Sequence, residues 1–152
     1  MGLVAIFLSG IHLTNSHVLQ NVRSSLESIA ATRLLSARAE QLRGMTWTQI
    51  TDASYLQANA LDVGSAGSGD LGNLLETIDI TAYLQSPGAV APIRVRRAAN
   101  GAARVIEGGD GTMPKESSVR IDLTTTWVGK GNKMRTRQSS FIVSQGGILG
   151  RK

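Results

Sequence analysis

Leu19–Arg43 reads LQNVRSSLESIAATRLLSARAEQLR, and the spacing of its apolar residues decides the fold. Leu19, Val22, Leu26, Ala30, Leu34 and Ala37 recur every three or four residues, which is the repeat of one helix face. Asn21, Arg23, Ser24, Glu27, Arg33, Arg38 and Glu40 fall between them and read as the wet side. Arg43 stands in the last turn and Gly44 just beyond it, a C-terminal stop signal, and no proline occurs before Pro87. The pattern predicts an amphipathic helix over 14–43, with Leu26 and Leu34 buried against a sheet.

Upstream the chain stays apolar. Residues 1–13 carry only Ser9 and His12 as polar side chains, and no charge appears until Arg23. This tip is shorter than the roughly 20 apolar residues that cross a bilayer. It also lacks the basic start and small-residue cleavage site of a secretory signal. Joined to the amphipathic part, it predicts one helix of about 60 Å at 1.5 Å per residue. Leu3, Val4, Ile6, Phe7, Leu8 and Ile11 are then apolar all round and need a cover, in lipid or in neighbouring subunits.

Downstream the period changes. Thr46 to Leu56 reads as a short helix or turn, and 59–72 as a Gly/Ser-rich connector. Strand alternation follows at 76–84, 93–97, 104–107 and 119–128, and Gly129–Asn132 turns the chain into a further strand over 133–143. Asn100-Gly101 is a hairpin signal. Successive hairpins predict an antiparallel meander resting on the helix, so the expected class is α+β, with a protruding helix over 1–44 and a β-rich head over 45–152.

The 152 residues are the size of one domain, and 41% apolar residues suffice for a core, although aromatics supply only 4%. The absence of cysteine excludes disulfides and thiolate chemistry. His12 and His17 are five residues apart, not the four of a helical zinc pair. The glycine-rich stretches 64–70 and 108–111 lack the Lys-Ser/Thr ending of a phosphate loop, and no serine sits in a Gly-x-Ser-x-Gly elbow. Calcium at Asp110 with Glu107 or Glu116 competes with a plain turn reading, which is preferred. No catalytic, cofactor or metal site is therefore expected. The net charge of +5 leaves one binding reading. Alternation puts Arg94 and Arg96 on one face of their strand, and Lys133, Arg135 and Arg137 on one face of theirs, as stripes for an anionic polymer such as DNA. The plainer alternative is a solvated face whose charges discourage edge pairing.

The stretch Leu3-Val-Ala-Ile-Phe-Leu-Ser-Gly-Ile11, followed by a long helix ending Ala39-Glu-Gln-Leu-Arg-Gly-Met-Thr-Trp47, resembles the type IV pilin and type II secretion pseudopilin superfamily. The family's basic leader ending in glycine has no counterpart here, nor has the glutamate usually fifth in its mature chain, where this sequence has Ala5. Matching Leu3–Leu8 to the family's apolar tract implies either a start at an internal methionine or an atypical subunit lacking that glutamate. The resemblance implies a non-enzymatic filament subunit, a minor pilin or pseudopilin, held in the bacterial inner membrane before assembly and periplasmic or extracellular afterwards. Its partners would be other pilin-like subunits. The alternative it implies is a DNA- or surface-binding adhesion subunit.

Overall fold

The computed structural model describes residues 2–62, 71–83, 89–98, 101–129 and 131–146, with the side chains of 2–17 and 20 excepted. Helix α1 spans Gly2–Arg43 without interruption. It ends through Gly44 N–H to Glu40 O at 3.1 Å and a tighter Met45 N–H to Leu42 O bond, also 3.1 Å. Gly44 closes the helix without entering the left-handed region, which among the described glycines only Gly109, Gly111 and Gly131 occupy.

Two short helical turns follow, α2 at Trp47–Ile50 and α3 at Ala53–Tyr55, and α3 runs on into a π-helical turn at Leu56–Leu61. Asp52 caps α3 by accepting from the Ser54 and Tyr55 amides at 2.8 and 3.2 Å. The expected connector therefore begins as helix, and its 63–70 portion lies outside the described residues.

Five strands complete the α+β fold: β1 Gly72–Ala82, β2 Ile93–Ala98, β3 Arg104–Gly108, β4 Ser118–Gly129 and β5 Lys133–Ser144. The expected end of β1 at Leu84 lies outside the described residues. All neighbours are antiparallel, but the order is β3-β2-β1-β4-β5 rather than a simple meander. The chain leaves β3 at one edge, makes a 3₁₀ turn at Met113–Lys115 and returns to the far side of β1. β1 takes the centre because its inward residues Leu74, Glu76, Ile78 and Ile80 are all buried. Short β3 is the natural edge, since only its partly buried Val105 packs against the core.

The helix lies on the inner face of this sheet, but not by the stripe its spacing suggests. Ala30, Ala31, Leu34, Leu35, Ala39 and Leu42 are buried, whereas Leu26 is 59% exposed and Leu19, Val22 and Ala37 are exposed. The expectation for Leu34 holds and that for Leu26 fails. The buried face is turned by about a third of a turn from the predicted one, at 100° per residue. Small alanines at 30, 31 and 39 let the helix approach the strands closely. Arg38, read as part of the wet side, is only 4% exposed.

The core has two parts. Ala30, Ala31 and Leu34 pack with Leu71, Leu74 and Trp127. Leu35, Ala39 and Leu42 pack with Ile50, Leu56, Leu61, Ile78, Ile80, Val95, Ile121 and others. Glu76, between Leu74 and Ile78 on β1, sits at the join and receives Arg38 from the helix.

Candidate assembly surface

On α1, Val18, Leu19, Val22, Leu26 and Ile29 are 47–59% exposed. Their spacing places them on one face, and at 100° per residue that face points about half a turn away from Ala31, Leu35 and Arg38, which meet the sheet. The helix is thus apolar on two opposite sides, one sealed by the head and one bare. Along the bare line the next positions are Arg33 and Glu40, both exposed, so the apolar stripe stops at about the point where the head begins to cover the helix. A row of large apolar side chains in water is a mark of an interaction surface.

The head grips α1 on the side opposite this stripe. Arg135 donates to Ser24 Oγ at 2.6 Å and lies 3.6 Å from Glu27 Oε2. Trp127 Nε1 faces the same carboxylate oxygen at 3.5 Å, and Arg137 donates to Ser28 Oγ. Gly129 permits this arrangement, since a Cβ there would stand 2.7 Å from Arg135 Nε and 2.9 Å from Glu27 Oε2. The sequence places Gly129 in the turn, but the left-handed turn residues are Gly131 and Asn132. At the other end, Arg43 pairs with Glu40 at 2.6 Å and lies over the Phe141 ring, 5.0 Å from its centroid. No described hydrogen bond joins the head to a helix residue before Ser24. The preceding 22 residues of α1 extend about 33 Å at 1.5 Å per residue.

The sequence-predicted packing residues Leu3, Val4, Ile6, Phe7, Leu8 and Ile11 lie on the helical backbone of α1, and their side chains are outside the described residues. Sequence reasoning missed Val18 and Ile29, and it assigned Leu19, Val22 and Leu26 to the sheet. The signal was present in the steps of four, four and three from Val18 through Val22 and Leu26 to Ile29.

The predicted anion-binding residues fall into two groups on opposite faces. Arg94 and Arg96 are on the outer face of β2, in register with Asp79 and Thr77. Arg94 donates to Asp79 and to Glu107, the latter at 3.0 Å, and its hydrogen bond and charge pairing with Asp79 hold its pKa above the ordinary guanidinium value. Arg96 is exposed. Arg135 and Arg137 turn instead toward α1, where they meet Ser24, Glu27 and Ser28, and Lys133 is exposed. A single phosphate track therefore does not reach both groups.

The carboxylates of the suggested calcium loop have protein partners. Glu107 holds Arg94, and Asp110 accepts from the Thr112 side chain and, at 3.0 Å, from its amide. The Thr112 hydroxyl and then its amide keep the Asp110 pKa below the usual carboxylate range. Among the described residues no three metal-type ligands cluster. Among the described residues, too, no helix is long and apolar enough to cross a membrane. No protein-family model, no curated protein and no solved structure matches the chain.

Proposed function

We propose that the chain is a structural subunit of a type IV pilus or type II secretion pseudopilus, with a pilin-like fold. It assembles by packing α1 against the α1 helices of sister subunits, after residence in the inner membrane through its apolar tip. The observation that carries this reading is the bare stripe Val18, Leu19, Val22, Leu26 and Ile29, set opposite the head-facing side of the same helix. Traced back at helical spacing, the line of the stripe meets Asn15 and then Ile11, Leu8 and Val4 of the apolar tip. Covering a leucine-sized side chain contributes about 1.5–3 kcal/mol, and a handful of such residues holds a subunit in place. Contacts of one patch with a different patch on the next copy do not close on themselves and generate an open helical filament.

The reading as a DNA- or surface-binding adhesion subunit has less support, because Arg94, Arg135 and Arg137 already have partners within the protein. The test is incorporation into filaments by Val22→Asp, Leu26→Asp and Phe7→Asp chains. Val22 and Leu26 are exposed, so charge there leaves the head folded. In an assembled subunit it becomes a buried unpaired charge, which is costly. Loss of incorporation with an unchanged melting curve is expected. Normal incorporation of all three variants would remove the basis for a filament subunit.

A further inference from the structure

β5 is a long free edge. Its 12 residues pair with β4 in an unbroken ladder from Ser118–Ser144 to Gly129–Lys133, and among the described residues no strand lies on its other side. In an antiparallel edge strand, every second residue directs its N–H and C=O outward without a partner. Proteins usually blunt such edges by shortening, bulging, charge or proline. The opposite edge shows two of these devices: β3 has five residues, and its register shifts beside Arg94 and Val95. β5 has neither proline nor bulge, and its only charges are Lys133, Arg135 and Arg137, so 138–144 (QSSFIVS) is an uncharged, pairing-competent edge. The outer face of the same strand also leaves Met134 75% and Ile142 50% exposed.

We infer that β5 pairs with β5 of a second copy, antiparallel, about a two-fold axis at Gln138. The strand is complementary to itself in this register. Met134 faces Ile142 of the second copy, so the two exposed apolar residues of the outer face cover each other. On the inner face Lys133, Arg135 and Arg137 face Val143, Phe141 and Ser139. The basic half of each strand thus meets the uncharged half of the other, and no like charges stand directly opposite. Moving the axis one residue, to Ser139, keeps the faces in phase but sets Met134 against Ser144 and Ile142 against Thr136. Moving it to Arg135 or Arg137 sets that arginine against itself. The bare stripe of α1 takes no part, so the pairing is independent of the filament reading. Because the two-fold axis turns the second α1 to the opposite direction, the pair is a different assembly from a filament of parallel subunits.

The natural chain has no cysteine, which makes cross-linking of the full-length protein a direct test. Residues directly opposite in an antiparallel pair have Cα atoms about 4.5–5.5 Å apart, within disulfide reach. Gln138→Cys is expected to form a disulfide-linked dimer under mild oxidation. Thr136→Cys alone and Ser140→Cys alone should not, because each then lies about 13 Å along the strand from its own copy at 3.3 Å per residue. An equimolar mixture of the two should cross-link, since Thr136 faces Ser140. Adding Ile142→Lys to Gln138→Cys sets a lysine against Met134 of the other copy and removes their mutual apolar cover. It should cut the yield about tenfold, or 1.4 kcal/mol, and further addition of Met134→Glu should restore it. The melting curve checks that these exposed changes leave the fold intact. Failure of Gln138→Cys to cross-link, equal self-linking at 136, 138 and 140, or a yield untouched by Ile142→Lys would each overturn the inference.

Discussion

Arg38 of α1 and Glu76 of β1 meet inside the protein, with Nε to Oε1 at 3.1 Å, Nη2 to Oε2 at 3.4 Å, and each side chain 5% exposed. The pair does not stand alone. Arg38 Nη1 also donates to Gln41 Oε1 at 2.9 Å and to Ala60 O, while Arg97 lies 4.0 Å from Glu76 Oε2 and donates to Leu61 O at 2.8 Å. One carboxylate thereby connects α1, β1, β2 and the π-helical turn. A directional contact at this point fixes both the rotation of the helix and its position along the sheet, which non-directional apolar packing alone defines less sharply.

Removing Glu76 takes the shared carboxylate from both Arg38 and Arg97, and removing Arg38 leaves Glu76 with Arg97 at 4.0 Å in place of its closer partner. Glu76→Leu or Arg38→Met should each cost about 3–5 kcal/mol in urea unfolding, and the double variant should cost clearly less than the sum. Arg97 is farther from Glu76 than Arg38 and partly exposed, so it replaces Arg38 only in part. Single-variant losses below about 1 kcal/mol would mean that the pair does not hold the helix.

The two leucines once expected to behave alike should separate. Leu34 is fully buried, and Leu34→Ala should cost about 2–5 kcal/mol. Leu26 is 59% exposed. In the isolated protein Leu26→Ala should cost no more than about 0.5 kcal/mol. Comparable losses at both positions in equilibrium denaturation would place Leu26 back against the head.

Gly129→Ala should act through Arg135 rather than through backbone strain. The added Cβ meets the flexible end of that side chain, so the expected loss is about 1 kcal/mol, the scale of the displaced hydrogen bond. In an Arg135→Ala background the same change should cost less, since only the Glu27 carboxylate then has to shift. Full additivity of the two substitutions would show that the glycine serves another purpose.

A chain lacking residues 1–15 should remain folded, because the described hydrogen bonds from the head to the helix begin at Ser24. Its unfolding free energy should lie within about 0.5 kcal/mol of the full chain, as for changes away from packed or paired groups. Loss of the cooperative transition on this deletion would show that the tip belongs to the folding unit.

The sequence by itself determined the elements. Helix period, lack of proline and a glycine stop set α1 to end at Arg43. Alternation located the five strands, whose described ends fall within a few residues of those expected, because these signals arise from contacts among residues close along the chain. Tertiary structure decided how the elements were used. α1 has apolar residues on two opposite sides, and local spacing cannot say which side meets the sheet. That choice depends on Arg38 finding Glu76 and on Ala30, Ala31 and Ala39 allowing close approach, contacts between residues distant in sequence. The placing of β1 between β2 and β4 has the same origin: strand order follows from which inward faces must be buried deepest, and each hairpin forms equally well on either side of it. The basic residues show the division most clearly. Alternation correctly set Arg135 and Arg137 on one face, but only the packed helix made that face the inner one and turned both toward Ser24 and Ser28.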